Sequence, residues 1–256
     1  MPTGWRTRFR FGVMMTAALL LIVPYRIRIS IGAIAPVGPR IIRRWYRRWG
    51  GGILTSGRIR LQLREQEALD PKQPVVFVAN HQVAIDIPIL MRAVPISFGF
   101  MAKSSVRRIP ILGHMAASTG AVFIDRTSPR QALSDLKRAA ERVRNGHSVL
   151  FFVEGTRSYA PVLADFRPGA FRLAVEAQVP LVPIALCNSY RLADERVFAS
   201  QPGALDVVVG APIPTAGRTR RDIPALINTV RRVLTAELAE EFERWSARPG
   251  VPSADP

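Results

Sequence analysis

The chain has one cysteine, Cys187, and three histidines in 256 residues. A lone thiol excludes an intramolecular disulfide, and so small a stock of ligands argues against a multi-cysteine or His-rich metal site. Lysine is scarce as well: of 36 basic side chains, only Lys72, Lys103 and Lys137 are lysines. Acidic residues are missing altogether from residues 1–60, which carry 12 arginines, so most of the formal +17 charge sits in the first quarter of the chain. The N-terminal apolar run FGVMMTAALLLIV (11–23) is thirteen residues long. That is short of the roughly 20 that cross a bilayer as one helix.

The length suits one globular domain with a sizeable core and a small appended element. The hydrophobic fraction of 48% and mean hydropathy of +0.12 are high for a soluble protein. A signal peptide is one reading of the N-terminus. Ala33-Ile34-Ala35 supplies an A-x-A, but Arg26 and Arg28 separate it from the apolar run and Pro36 follows it directly, which spoils a cleavage site. The segment PRIIRRWYRRWGGGIL (39–54) interleaves Trp45, Tyr46 and Trp49 with five arginines. Rings at headgroup level and guanidiniums on lipid phosphates suit a bilayer interface. The expectation is a membrane-anchoring segment over 1–54, a domain over 55–247 and a disordered tail over 248–256. A single tilted span, or a helical arm packed on its own domain, are the other readings of 1–54.

From residue 58 onward apolar periodicity alternates between two and 3.6. Strands are expected at 58–64, 75–79, 96–101, 121–124, 148–152, 180–186 and 205–209. Helices are expected at 87–94, 106–118, 129–144, 169–177 and about 220–245. The fold class is therefore α/β, a largely parallel central sheet flanked by helices, with an N-terminal membrane-associated helical element.

In such folds chemistry gathers beyond the carboxyl ends of the strands. Three polar clusters fall there: Asn80-His81 with Asp86, Asp125-Arg126, and Glu154-Gly155-Thr156-Arg157-Ser158. Each has a plain structural explanation. His81 could be a core or capping histidine, Asp86 the N-cap of the following helix, and the arginines surface charges. Three clusters ending three successive strands are harder to dismiss together.

These motifs resemble the glycerolipid acyltransferase family, in particular its 1-acylglycerol-3-phosphate acyltransferases. NHQVAID (80–86), GAVFIDR (120–126), FVEGTRS (152–158) and VPLVPIAL (179–186) match the family's four motifs in order, and AKSSVRRIPILG (102–113) resembles its lysine-bearing segment. The chain departs at Val83-Ala84, where the family has Ser-Trp or similar, and at Val153, where it has proline. The resemblance implies His81 and Asp86 as catalytic groups. It implies Arg126, Arg157 and Lys103 as ligands of an acceptor phosphate, with Glu154, Gly155 and Thr156 forming the turn of the substrate site. Neither a metal nor a cofactor is implied; acyl-CoA or acyl-carrier protein is the co-substrate. The implied partners are a lysophospholipid acceptor, that thioester donor and membrane lipids, with the active site on the cytoplasmic face of a membrane such as a bacterial inner membrane.

The His81–Asp86 spacing also has a direct chemical reading. Moving an acyl group from a thioester to a hydroxyl needs a base, and neutral imidazole is available near pH 7. A carboxylate on the other ring nitrogen fixes the tautomer and stabilises the imidazolium, so an asparagine at 86 is expected to be damaging through the wrong tautomer. Buried flanks exclude the water that would hydrolyse the thioester. Cys187 reads as core. The alternatives are acylation of another lyso-lipid, such as a lyso-ornithine lipid, or a basic nucleic-acid-binding protein. No nucleic-acid partner is expected, because the excess charge flanks an apolar run instead of covering the folded domain.

Overall fold

Val76, Phe77, Val78 and Ala79 are fully inaccessible because both faces of the strand they form are covered. Alternation sends Val76 and Val78 to one face and Phe77 and Ala79 to the other, and the two pairs belong to two separate apolar clusters. A run that is apolar at every position marks a strand buried on both faces of a parallel sheet. The computed structural model describes residues 4–23, 38–109, 113, 116–117, 119–125 and 127–247.

That strand is β2 (Val76–Ala79) of a seven-stranded sheet. The others are β1 (Ile59–Glu65), β3 (Phe98–Lys103), β4 (Val122–Ile124), β5 (Ser148–Phe152), β6 (Leu181–Cys187) and β9 (Gly203–Val209). The order is β1-β9-β6-β2-β5-β3-β4. Five strands run parallel; β9 pairs antiparallel with β6, and β1 follows β9 in parallel register. The pair at one edge is thus reversed, and the carboxyl ends of β2, β5 and β6 form one continuous rim.

Helices α1 (Trp5–Leu20), α2 (Pro39–Ser56) and α3 (Asp86–Ala93) cover one face, sharing a cluster with Phe77, Leu150, Ile184 and Val207. Helices α4 (Pro129–Arg144), α5 (Gly169–Ala177) and α7 (Ile223–Ser246) cover the other, with Val78, Val149, Leu181 and Val208. Between β6 and β9 lie a single turn, α6 (Ser189–Leu192), and a two-stranded hairpin of β7 (Ala193–Asp194) and β8 (Ala199–Ser200). Cys187 is in the core as expected, and burial pushes its thiol up to about 12. Where a helix is expected at 106–118, residues Ser104–Arg108 form a 3-10 turn and most of the remainder lies outside the described residues. So does the tail 248–256, expected to be disordered.

Two of the three aromatics of 39–54 turn inward, and Trp45 is half-buried. Tyr46 and Trp49 are buried, Tyr46 edge-on to Phe98 at 5.3 Å, and the Trp49 indole N–H donates to the Ala18 carbonyl at 3.0 Å. Ile53 and Leu54 join the same cluster, so α2 packs as part of the domain's core up to its last turn. Gly50 allows the close approach: a Cβ there would sit 2.3 Å from the Pro88 carbonyl oxygen of α3. The opposite side of α2 presents Arg40, Arg44, Arg47 and Arg48, all exposed. With Arg43 and Arg92 they line a groove of about 1160 Å³ floored by Leu54, Leu61 and Leu63. Among what α1 exposes are four large apolar side chains, Trp5, Phe9, Val13 and Leu20, at 73%, 68%, 38% and 64% accessible, with Arg6 and Arg8 exposed near its start. Among the described residues no helix is long and apolar enough to cross a membrane.

Candidate active site

β2 ends at Ala79, and the next residue fixes the rim. The Asn80 side chain, buried, donates to the Leu186 carbonyl at 3.0 Å and accepts from the Leu186 N–H at 2.8 Å. This amide does for β6 what a further ladder residue would, and it locks the start of the following loop. That loop turns into α3, and the turn brings Asp86 back under His81.

Asp86 has no accessible surface. One oxygen, Oδ2, receives three donors: the Gln82 N–H at 2.6 Å, the Val83 N–H at 3.0 Å and His81 Nδ1 at 2.8 Å. The side chain caps nothing in its own helix, so the N-cap explanation of this residue fails. A carboxylate only accepts, which assigns the imidazole proton to Nδ1 and leaves Nε2 with a lone pair. The ring stacks on Phe152 with centroids 3.7 Å apart and 12° between planes, and the His81 side chain is 13% exposed. From Phe152 the aromatics continue through Phe100 (6.1 Å) to Tyr46 of α2 (6.4 Å). One side of the imidazole is therefore an apolar wall.

The turn after β5 is laced to the same loop. Buried Glu154 accepts from the His81 N–H at 2.9 Å and from the Ala164 N–H at 2.9 Å, and burial raises its carboxyl above the ordinary range. The Ser158 N–H donates to the His81 carbonyl at 2.8 Å and the Tyr159 N–H to the Gln82 carbonyl at 3.0 Å. Gly155 sits at φ +76°, a left-handed conformation that L side chains rarely adopt. Val153 has its own reason to differ from proline: its N–H donates to the Ala79 carbonyl at 3.0 Å, a bond proline cannot make.

The structure therefore joins His81, Asp86, Glu154 and the backbone around Arg157. Thr156 and Arg157 are exposed on that turn, and the Arg157 guanidinium is paired with Glu195. Lys103 is exposed at the end of β3, one strand beyond β5, and among the described residues no hydrogen bond joins it to His81. Arg126 lies outside the described residues. Its neighbour Asp125 is held by the Thr127 N–H (2.9 Å) and donates its own N–H to Asp135 (3.0 Å). Residues that the motif reading passed over also converge here. Gln82 accepts from the Ser189 hydroxyl at 2.8 Å and reaches Glu241 of α7, whose carboxyl burial pushes up to about 7.

A family model described as Acyltransferase matches residues 60–187, half of the chain. The chain belongs to the acyltransferase family. It is 35% identical to the 1-acyl-sn-glycerol-3-phosphate acyltransferase alpha of Homo sapiens over 71% of this chain and 65% of that one. It is 33% identical to the 1-acyl-sn-glycerol-3-phosphate acyltransferase of Saccharomyces cerevisiae over 66% of this chain and 57% of that one. The chain thus spans less than two thirds of the length of these curated relatives. In architecture it is similar to the crystal structure of the 1-acyl-sn-glycerophosphate acyltransferase of Thermotoga maritima, with a TM-score of 0.77, 23% identity and coverage of 94% of this chain and 98% of that one. The shared fold is the α/β arrangement with a largely parallel seven-stranded sheet.

Proposed function

We propose that this acyltransferase moves a fatty acyl chain from a thioester donor, acyl-CoA or acyl-carrier protein, to the free hydroxyl of 1-acylglycerol-3-phosphate. The observation that carries the reading is the His81 Nδ1–Asp86 Oδ2 bond of 2.8 Å, with Nε2 unpaired among the described residues and set beside an apolar wall. The names of the curated relatives support the acceptor. In this mechanism Nε2 takes the hydroxyl proton as the oxygen attacks the thioester carbon. The tetrahedral intermediate collapses with loss of the thiolate, and the imidazolium returns the proton to sulfur. Asp86 stabilises the imidazolium between these two transfers. The aromatic row from Phe152 to Tyr46 offers the acyl chain a dry surface. Arg157, with Arg126 and Lys103, would hold the acceptor's phosphate, because a guanidinium matches phosphate with paired planar donors.

Purified protein assayed with a panel of lyso-lipids and both thioester donors tests the reading. Preferred turnover of a lyso-ornithine or other non-phosphomonoester lipid would replace the acceptor. Arg157→Ala is expected to raise the KM for lysophosphatidic acid about ten- to a hundredfold, the loss of one charge-assisted hydrogen bond. The donor's KM should hold, and Arg157→Lys should recover part of the loss. An effect confined to the donor would remove Arg157 from the phosphate site.

Membrane docking is assigned to α1. Trp5, Phe9 and Val13 recur every four residues and form one exposed apolar stripe. Such a stripe binds by burying its face into the headgroup boundary. Phe9→Glu with Leu20→Glu should shift most of the protein from the vesicle pellet to the supernatant while leaving turnover of a micelle-dispersed acceptor near wild type. Point changes are the appropriate probe, because deleting residues 1–54 would strip Tyr46, Trp49 and Ile53 from the core. Full sedimentation of the double variant would show that α1 is not the anchor. Nucleoid association lost in high salt would instead favour the nucleic-acid reading.

A further inference from the structure

The hairpin of residues 193–200 touches elements on two sides. Phe198, at its turn, is 65% exposed, and its ring lies edge-on to Phe11 of α1 at 5.9 Å. Glu195, in the same turn, faces the catalytic rim. Its Oε1 accepts from Arg157 Nη1 and from the Tyr159 hydroxyl at 2.8 Å, and its Oε2 accepts from the Ala84 N–H at 3.2 Å. Arg196 lies 3.7 Å over the Tyr159 ring but pairs with Asp194 at 2.7 Å, so it does not displace Arg157 from Glu195. A single carboxylate therefore joins the turn after β5 to the loop that carries His81 and Asp86.

An arginine on an exposed turn samples many rotamers, and ordering it on ligand binding weakens affinity. A guanidinium held at one nitrogen keeps its other N–H groups for a planar anion. We propose that Glu195 is the positioning residue of the acceptor's phosphate site, holding Arg157 by one edge and tying it, through the Ala84 N–H, to the His81–Asp86 loop. The inference rests on the assignment of Arg157 to the acceptor phosphate made above. A carboxylate this close also repels a phosphate. The two effects have opposite signs, which makes them separable: positioning weakens binding when Glu195 is lost, and relief of repulsion tightens it.

The test is a double-mutant cycle on the full chain with Glu195→Ala, Glu195→Gln and Arg157→Ala. It is read as kcat and KM for both substrates and, by calorimetry, as Kd for glycerol 3-phosphate. Glu195→Ala should raise the acceptor KM and the glycerol 3-phosphate Kd about three- to tenfold. The turnover number and donor KM should stay within about twofold. Glutamine, which keeps an acceptor oxygen, should recover part of the effect. In the Arg157→Ala background neither change at 195 should matter further. An unchanged or lowered KM and Kd, a full additive loss in that background, or a kcat falling as much as KM rises would overturn the proposal. Should the alanine variant fail to fold, the cycle with glutamine gives the same decision. Coupling of 195 to 157 in glycerol 3-phosphate binding, in a protein that does not turn over lysophosphatidic acid, would sink the proposed substrate and leave the positioning intact. Wild-type protein that does not bind glycerol 3-phosphate would end both.

Discussion

His81→Ala is expected to lower kcat for acyl transfer by about 10²–10⁴-fold, the range lost with a general base, in a protein that still folds. The side chain contributes little to stability. Its ring is one hydrogen bond and one stacked face at the rim of the sheet, whereas the loop is held by backbone: the His81 N–H on Glu154 and its carbonyl on the Ser158 N–H. Alanine keeps both. The variant should therefore melt near the wild-type temperature and bind acceptor with a KM close to wild type, with the defect in the chemical step. Rapid-quench measurement of a single turnover separates the two, and wild-type turnover in a folded His81→Ala protein would refute general-base catalysis by this residue.

At Asp86 the geometry divides two substitutions that the motif alone treats alike. Asp86→Ala removes the acceptor of three donors at once. It leaves the Gln82 and Val83 N–H groups buried without a partner, at about 1–3 kcal/mol each, and lets the imidazole adopt either tautomer. The expected loss in kcat matches that of His81→Ala, with a lowered melting temperature as well. Asp86→Asn is different. Two backbone N–H groups fix where its carbonyl oxygen must lie, namely at the Oδ2 position, and that same oxygen can still accept from Nδ1–H. The amide NH₂ then falls at Oδ1, which has no hydrogen-bond partner among the described residues. The tautomer survives; what is lost is the stabilising charge, together with about 1–3 kcal/mol of stability for the buried NH₂ left without an acceptor. Asparagine should therefore retain clearly more activity than alanine, without the wrong tautomer expected from sequence. Equal loss in the two variants would mean that the backbone donors do not control the orientation of residue 86.

The elements that were legible in the sequence are those decided by nearby chemistry. Helix α4 starts at Pro129, behind Ser128, whose hydroxyl oxygen accepts from the Gln131 N–H, and it stops before Gly146 at φ +91°. β5 and α5 begin and end where the periodicity changes. The reversed β9 was not legible, because strand direction in a sheet is set by contacts between distant segments and leaves no local pattern. The inward turn of Tyr46 and Trp49 fits the reading of 1–54 as an arm packed on its own domain, and its signal is local. Ile42, Tyr46, Trp49 and Ile53 recur at three- and four-residue intervals, the period of one helix face. At the site, His81 and Asp86 were readable because they lie five residues apart in one motif. Glu195 was not, since Arg157 is 38 residues before it and Ala84 is 111 residues before it. Gln82 and Glu241 are hidden for the same reason, being neighbours only once α7 has closed over β6.

The outer side of α2 sets neighbouring arginines against one another. Arg40, Arg44 and Arg48 follow at four-residue intervals, as do Arg43 and Arg47, and like charges so placed oppose a helix by about 0.2–0.5 kcal/mol per pair. None of these side chains makes an ion pair among the described residues. The helix therefore holds its shape by the grip of Tyr46, Trp49 and Ile53 on the sheet and in spite of its own electrostatics. Dissolved ions, whose screening length is about 10 Å at 0.1 M, shield that repulsion. Ionic strength is thus expected to act on this molecule as a silent structural partner, loosening α2 in dilute buffer and firming it as salt is added.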